Sequence, residues 1–222
     1  MVPQALRMAD AAFKHYRTRD PFEIIDAKKI KLWDFEKPES LLAFYKVMNR
    51  TQYIGINLVA DEVERRSGAI HELGHSLNDY KAAASGREFR DTFSDYKFFS
   101  FSNAPSELNA NLTGADLCIA DDYICDRIHY EQYLRLVAYI KAHIDHYRSE
   151  RARMQFEEEQ MQEFYDINSD MPSYAQLACE LVVDIQMVKF KFKAMSYKNY
   201  DLPNIPETES DFLKNWQRRR DW

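Results

Sequence analysis

The sequence predicts an α+β fold, mostly helical, with a small antiparallel sheet of three strands. Three observations carry this. The chain has 222 residues with 14% aromatics but only 5 glycines and 7 prolines, a composition of compact helix-rich chains with a real core. Three short apolar runs, KIKLWDF (29–35), LLAFYKV (41–47) and TQYIGIN (51–57), sit close together around turn residues and read as strands. From Asp61 onward the apolar period becomes helical.

The elements follow in order. Leu6, Ala9, Phe13 and Tyr16 fall at helical spacing within residues 4–18, and RDPFEIIDA (19–27) reads as a short helix entered through Asp20-Pro21. A helix spans 61–80, and another covers APSELNANLTGADLCIA (104–120). A long helix is expected from about Arg127 to Phe164, its charge run RSERARMQFEEEQMQEF (148–164) forming a solvated face. YAQLACELVVDIQMVKFKFKAM (174–195) fits two short helices broken near Val183-Asp184. The expected division is a domain over 1–126 and a helical C-terminal region over 127–222, a long helix followed by a helix-turn-helix-like pair.

Charge and cysteines exclude several classes. Net charge is 30 − 36 = −6, which gives no bulk attraction to nucleic acid or an anionic membrane. Cys118, Cys125 and Cys179 are odd in number and form no CxxC pair, so they read as reduced thiols. The N-terminus MVPQALRMADAAF lacks the pattern of a signal peptide, and no apolar run approaches the ~20 residues that span a bilayer. A soluble cytoplasmic protein is expected. Lys189, Lys191 and Lys193 and the terminal QRRRDW (217–222) are too sparse a set of phosphate contacts for direct nucleic-acid binding to be expected.

The chemistry concentrates in AIHELGHSLN (69–78). On a helix Ile70, Leu73 and Leu77 form one stripe, while His71 and His75 fall about 100–140° away with Glu72 beside them. Two histidines one turn apart can converge on one ion, the spacing used by zinc sites. Glu72 is too close along the chain to join them, but stands where a carboxylate can take a proton from water activated at the ion. Gly68, on the same arc, is expected to leave room above it. Two incidental histidines on a surface helix are the competing reading.

A catalytic zinc takes a third protein ligand and keeps one position open. The extended HExxHxxGxxH pattern fails, with Asn78 and Lys81 at the last two positions. Glu107 is the best third ligand: it starts a helix apolar on nearly every side, where a buried carboxylate needs a partner. A capping or salt-bridged glutamate is the alternative. Asn111, one turn on, either hydrogen-bonds a ligand or is an ordinary satisfied polar residue. Cys118 stands about 16 Å along the helix from Glu107, too far to share an ion. His15, His129, His143 and His146 have no partner at ligand spacing and read as surface histidines.

These stretches, "IGIN" (54–57), His71-Glu72-Leu73-Gly74-His75 and Glu107-Leu108-Asn109-Ala110-Asn111, together resemble the ImmA/IrrE family of metallo-endopeptidases over roughly Asp20 to Ala120. The family continues after its Ala-Asn with Phe-Ala-Ala, where this chain has Leu112-Thr113-Gly114-Ala115. The resemblance implies a zincin-like, gluzincin-type core with zinc held by His71, His75 and Glu107 and with Glu72 as catalytic base. It also implies a substrate: a helix-turn-helix repressor of a prophage, mobile element or stress-response locus, whose site-specific cleavage relieves repression. An activator protein is a further expected partner.

Tyr96, Tyr123 and His129 are candidates for stabilising the oxyanion. SDYKFFSFSN (94–103) either lines a substrate pocket or belongs to the core, and the strand YIGIN could receive an extended substrate as an added strand. The C-terminal helices after Ser173 and the long helix from Arg127 are expected to dock the repressor, and removing residues 173–222 is expected, if the chain stays folded, to spare zinc binding but weaken repressor cleavage. Two other classes fit the same residues: a metal-binding regulatory or sensor module that does not cleave, and a toxin-like protease acting on another cellular protein.

Overall fold

The computed structural model describes residues 3–36, 41–91 and 105–208. Four strands, β1 Lys31–Phe35, β2 Ala43–Met48, β3 Thr51–Asn57 and β4 Phe89–Asp91, form one sheet in the order β1-β3-β2-β4. β2 and β3 make an antiparallel hairpin that closes at Met48↔Thr51. Asn49 and Arg50 between them both have positive φ, 49° and 64°, as a two-residue turn between right-twisted strands requires. β1 runs parallel to β3, from Lys31↔Tyr53 to Phe35↔Asn57, and β4 runs antiparallel to β2.

The sheet is therefore mixed and four-stranded, not the expected three-stranded antiparallel one. β3 inserts between β1 and β2 and so lies parallel to one and antiparallel to the other. β4 has three residues, too few to show an alternating pattern. Because β3 is paired on both sides, it cannot take up a substrate strand. Among the described residues the open edges belong to β1 and β4.

The first unit groups residues 1–120 with 177–199. Among its helices, those starting at Pro21 and Glu62 begin at side-chain caps. α1 is Gln4–Tyr16. α2, Pro21–Ala27, starts with proline at its first position, and the Asp20 carboxylate accepts from the Phe22 and Glu23 amides. α3, Glu62–Asn78, opens with a reciprocal box in which Asp61 and Glu64 each bond the other's backbone amide. α4, Tyr80–Ala84, follows directly, and α5 is Pro105–Cys118. α3 lies against β2 and β3, and α5 packs on α3, α1 and the later helix α10, Ile185–Tyr197. α5 is buried continuously from Ala110 to Cys118.

α10 belongs to this core. The Asp184 carboxylate caps it at Gln186, while the Asp184 amide donates to Ser67 Oγ of α3 at 2.8 Å. The preceding helix α9, Tyr174–Leu181, ends one residue before Val182, which turns the chain at φ 53°. Lys191, fully buried, donates to Asp116 Oδ1 of α5 at 2.7 Å, as does Lys198. Lys191 is thus a core ion pair and not the phosphate contact considered from the sequence.

The second unit groups 121–176 with 200–222. After α6, Asp121–Arg127, the span of the expected long helix holds two, α7 Tyr130–His143 and α8 Glu150–Ile167, with a 3₁₀ turn at Ile144–His146. His129 takes a left-handed conformation at φ 51°, and Ser149 Oγ caps α8 by accepting from the Ala152 amide. Apolar spacing continues on both sides of these breaks, so periodicity alone hides them. Tyr133 meets Phe164 at 5.8 Å and Tyr147 stacks on Phe156 at 4.8 Å, holding α7 and its following turn on α8. The expected boundary at 126/127 thus differs from the one that contacts draw, which returns 177–199 to the first unit. Among the described residues no helix is long and apolar enough to cross a membrane.

Candidate metal centre

Two glycines let α3 and α5 come close enough to share a site. A Cβ on Gly74 would stand 2.1 Å from the Ala110 carbonyl oxygen, and one on Gly114 would stand 2.4 Å from that of Ile70. Each helix therefore contributes one glycine facing the other's backbone. Asn78 secures the end of this contact: its amide donates to Thr113 Oγ1 and to the Gly74 carbonyl, both at 2.8 Å. Thr113 in turn donates to the Ala5 carbonyl of α1 at 3.1 Å. Asn78, noted in the sequence only as a departure from a longer motif, is a cross-helix tie.

This approach brings Glu107 to the two histidines. His71 Nε2 and His75 Nε2 are 3.0 Å apart, and Glu107 Oε2 lies 3.2 Å from each. Donor atoms about 2.0–2.2 Å from a tetrahedral zinc stand roughly 3.3 Å from one another. The three atoms are within a few tenths of an ångström of that triangle, and the described residues contain no other such group of three or more.

The outer nitrogens of both rings are fixed. His71 Nδ1 meets Asn111 Oδ1 at 2.8 Å, and His75 Nδ1 meets Asp79 Oδ2 at 2.8 Å. With Nδ1–H donated to an oxygen in each case, the neutral rings turn their lone pairs inward at Nε2. Two imidazole lone pairs and a carboxylate then face one point, an arrangement that suits a cation. Asn111, 4% exposed, takes the ligand-orienting place considered for it. Asp79 was not singled out from the sequence, although His71, His75 and Asp79 share a four-residue spacing that could have shown it.

Exposure is uneven. The side chains of His71 and His75 are 1% exposed and that of Glu107 is 27% exposed, so the site reaches solvent at its carboxylate. Burial alone would raise the Glu107 pKa, but when the two rings are protonated, hydrogen bonds and charge from His71 and His75 outweigh it and hold the carboxyl well below the usual carboxylate range. Glu72 is fully buried. Tyr45 of β2, also buried, has its phenol pushed up by burial and, to a smaller degree, by Tyr80, Asp79 and Glu72.

Other sequence expectations resolve differently. Gly68 makes room for the sheet, since a Cβ there would meet Ala43 Cβ at 3.2 Å. The front of α3 is not a polar surface, because every residue from Ser67 to Ser76 is buried. His15, His143 and His146 are exposed, and His129 pairs with Asp170 at 3.1 Å. Tyr123 and His129 belong to the second unit, while Tyr96 and the segment 94–103, like QRRRDW, lie outside the described residues.

No family model matches the chain, and no solved structure matches it. A protein of Bacillus phage phi105, named uncharacterized immunity region protein 2, is 29% identical over 108 residues. These cover 49% of this chain and 63% of that protein, so the match spans less than two thirds of the relative's length. The chain is distantly similar to a phage immunity-region protein.

Proposed function

We propose that this chain is a zinc-dependent, site-specific endopeptidase that cleaves a helix-turn-helix repressor and so relieves repression. The observation that carries the reading is the inward triangle of His71 Nε2, His75 Nε2 and Glu107 Oε2, with a buried carboxylate, Glu72, next to the first ligand. The immunity-region name belongs to the phage relative, and it favours a regulatory substrate over a digestive role.

His71, His75 and Glu107 hold the ion. When bound, zinc supplies Lewis acidity, polarising a peptide carbonyl and lowering the pKa of water from about 16 to about 7. Glu72 accepts the proton of the attacking water on its carboxylate and returns it to the departing amine nitrogen. Asn111 keeps the His71 ring in the tautomer that presents Nε2.

The test is incubation of the purified chain with the helix-turn-helix repressor encoded beside it, with and without zinc, followed by mass spectrometry. One or very few zinc-dependent cuts are expected, with almost no activity on unfolded casein-like substrates. Zinc binding without peptide products would replace this reading with a non-cleaving sensor module. Broad degradation of unrelated proteins would favour a general or toxin-like protease.

A further inference from the structure

The two histidines differ in what stands behind them. His71 Nδ1 faces a neutral amide oxygen on a neighbouring helix, Asn111 Oδ1. His75 Nδ1 faces a carboxylate on its own chain four residues later, Asp79 Oδ2, at the same 2.8 Å. The Asp79 backbone amide also donates to the His75 carbonyl at 2.8 Å. One residue therefore grips both the ring and the backbone of His75 at the point where α3 ends and α4 begins. The Phe89 ring of β4 stacks on the His75 ring, with centroids 4.3 Å apart and planes 29° from parallel, so the imidazole is fixed in rotation as well as in tautomer.

We infer that Asp79 is a positioning residue for the metal centre: its carboxylate holds His75 as the Nδ1–H tautomer and makes Nε2 the more electron-rich of the two nitrogen ligands. The physical reason is electrostatic. An anionic acceptor draws the Nδ1 proton outward more strongly than an amide does, which raises electron density at the opposite nitrogen. The Asp79 side chain is 18% exposed, so water screens this pull only partly. Removing such a partner typically weakens metal binding by about 10–100-fold. Asp79 touches neither the ion nor the substrate, and it acts through His75.

This inference rests on the metal-site reading, and the experiment separates the two. Nitrogen-15 NMR of the metal-free chain reports the tautomer of each histidine without zinc. The wild type is expected to show His75 as the Nδ1–H form, and Asp79→Ala to shift it toward Nε2–H while His71 stays unchanged. Zinc affinity by chelator competition is expected to fall about 10–100-fold in Asp79→Ala and less in Asp79→Asn, which keeps an acceptor oxygen but loses the charge. Circular dichroism and thermal melts of the metal-free variants establish that each is folded. A folded Asp79→Ala chain with wild-type tautomer populations, or with undiminished zinc affinity, would overturn the role of Asp79. If the wild type shows the expected tautomer yet binds no zinc, the metal reading fails while the Asp79–His75 pairing stands.

Discussion

Glu72 and Glu107 carry the same side chain and are assigned opposite tasks, one moving a proton and the other holding the ion. Glu72→Gln is expected to keep about one zinc per chain while hydrolysis falls by at least 10²-fold, and His71→Ala or Glu107→Gln is expected to lose the metal. Metal content by mass spectrometry beside a cleavage assay separates the roles, and a Glu72→Gln chain as empty of zinc as His71→Ala would reverse them. Glu107 also gives a pH signature in the metal-free chain. With His71 and His75 protonated, its folded pKa lies below its unfolded value near 4.3, so their hold on it contributes stability above that pH that is lost as pH falls through the lowered value. Urea unfolding under conditions that protonate both rings should show Glu107→Gln less stable than wild type, with the gap closing only in strong acid. A gap that does not change with pH would show that the histidines do not hold this carboxylate ionised. Among the described residues no cysteine joins the group of His71, His75 and Glu107; the Cys118 thiol is pushed up to about 12, chiefly by burial, and replacing Cys118, Cys125 and Cys179 by serine should leave zinc stoichiometry unchanged.

Between elements, the contact that matters most is α3 against α5, and it depends on two absent methyl groups. Gly74→Ala or Gly114→Ala would place a Cβ on a backbone carbonyl oxygen, which a rotamer change cannot relieve. Overpacking of this kind typically costs about 1–3 kcal/mol, and separating the helices would also draw Glu107 away from His71 and His75. Both variants are expected to lose zinc affinity out of proportion to their loss of stability. Gly68→Ala is the control, since its new methyl would meet the Ala43 methyl at 3.2 Å and Leu42 at 3.8 Å, with no backbone carbonyl among these contacts. If all three alanine variants bind zinc equally well, the glycine contact does not set the site. None of this was readable in advance. Gly74 sits inside the motif and Gly114 in an apolar run, and only the crossing of the helices shows that they face each other's backbone.

Across the first unit, α10 closes the core that holds the candidate metal centre. Asp116 of α5 accepts from Lys191 and Lys198 at Oδ1, while Arg19 donates to the Asp116 and Leu117 carbonyls at 3.2 and 2.8 Å. Asp116→Ala would leave a fully buried lysine without this counter-charge and is expected to cost about 3–5 kcal/mol. Lys191→Met should cost less, because Lys198 still pairs with the aspartate, and urea unfolding of the two variants gives the order. Removing residues 173–222 no longer looks like trimming a docking module. It would take away Met187, Val188, Phe190 and Met195, all buried, at about 1.5–3 kcal/mol each, against a total stability of about 5–15 kcal/mol for an ordinary domain. The truncated chain is expected to be unfolded by circular dichroism. A folded, zinc-binding truncation would show that α10 is dispensable.

What the sequence determined by itself is local. Asp20-Pro21 and Asp61 with Glu64 mark helix starts because a cap is a contact within four residues. The i, i+4 histidines read as a metal pair because one turn of helix sets their spacing. Glu107 was legible for a different reason, as a carboxylate at the head of a helix otherwise destined for burial. Tertiary structure decided everything that depends on distant segments meeting. β3 enters between β1 and β2, Asn111 closes on the His71 ring from another helix, and two glycines admit a neighbouring backbone. Lys191, written among alternating lysines like a surface residue, is drawn into the core by an aspartate 75 positions earlier. A chain's own spacing cannot announce such partners, because the free energy that selects them comes from surfaces that exist only after the helices have packed.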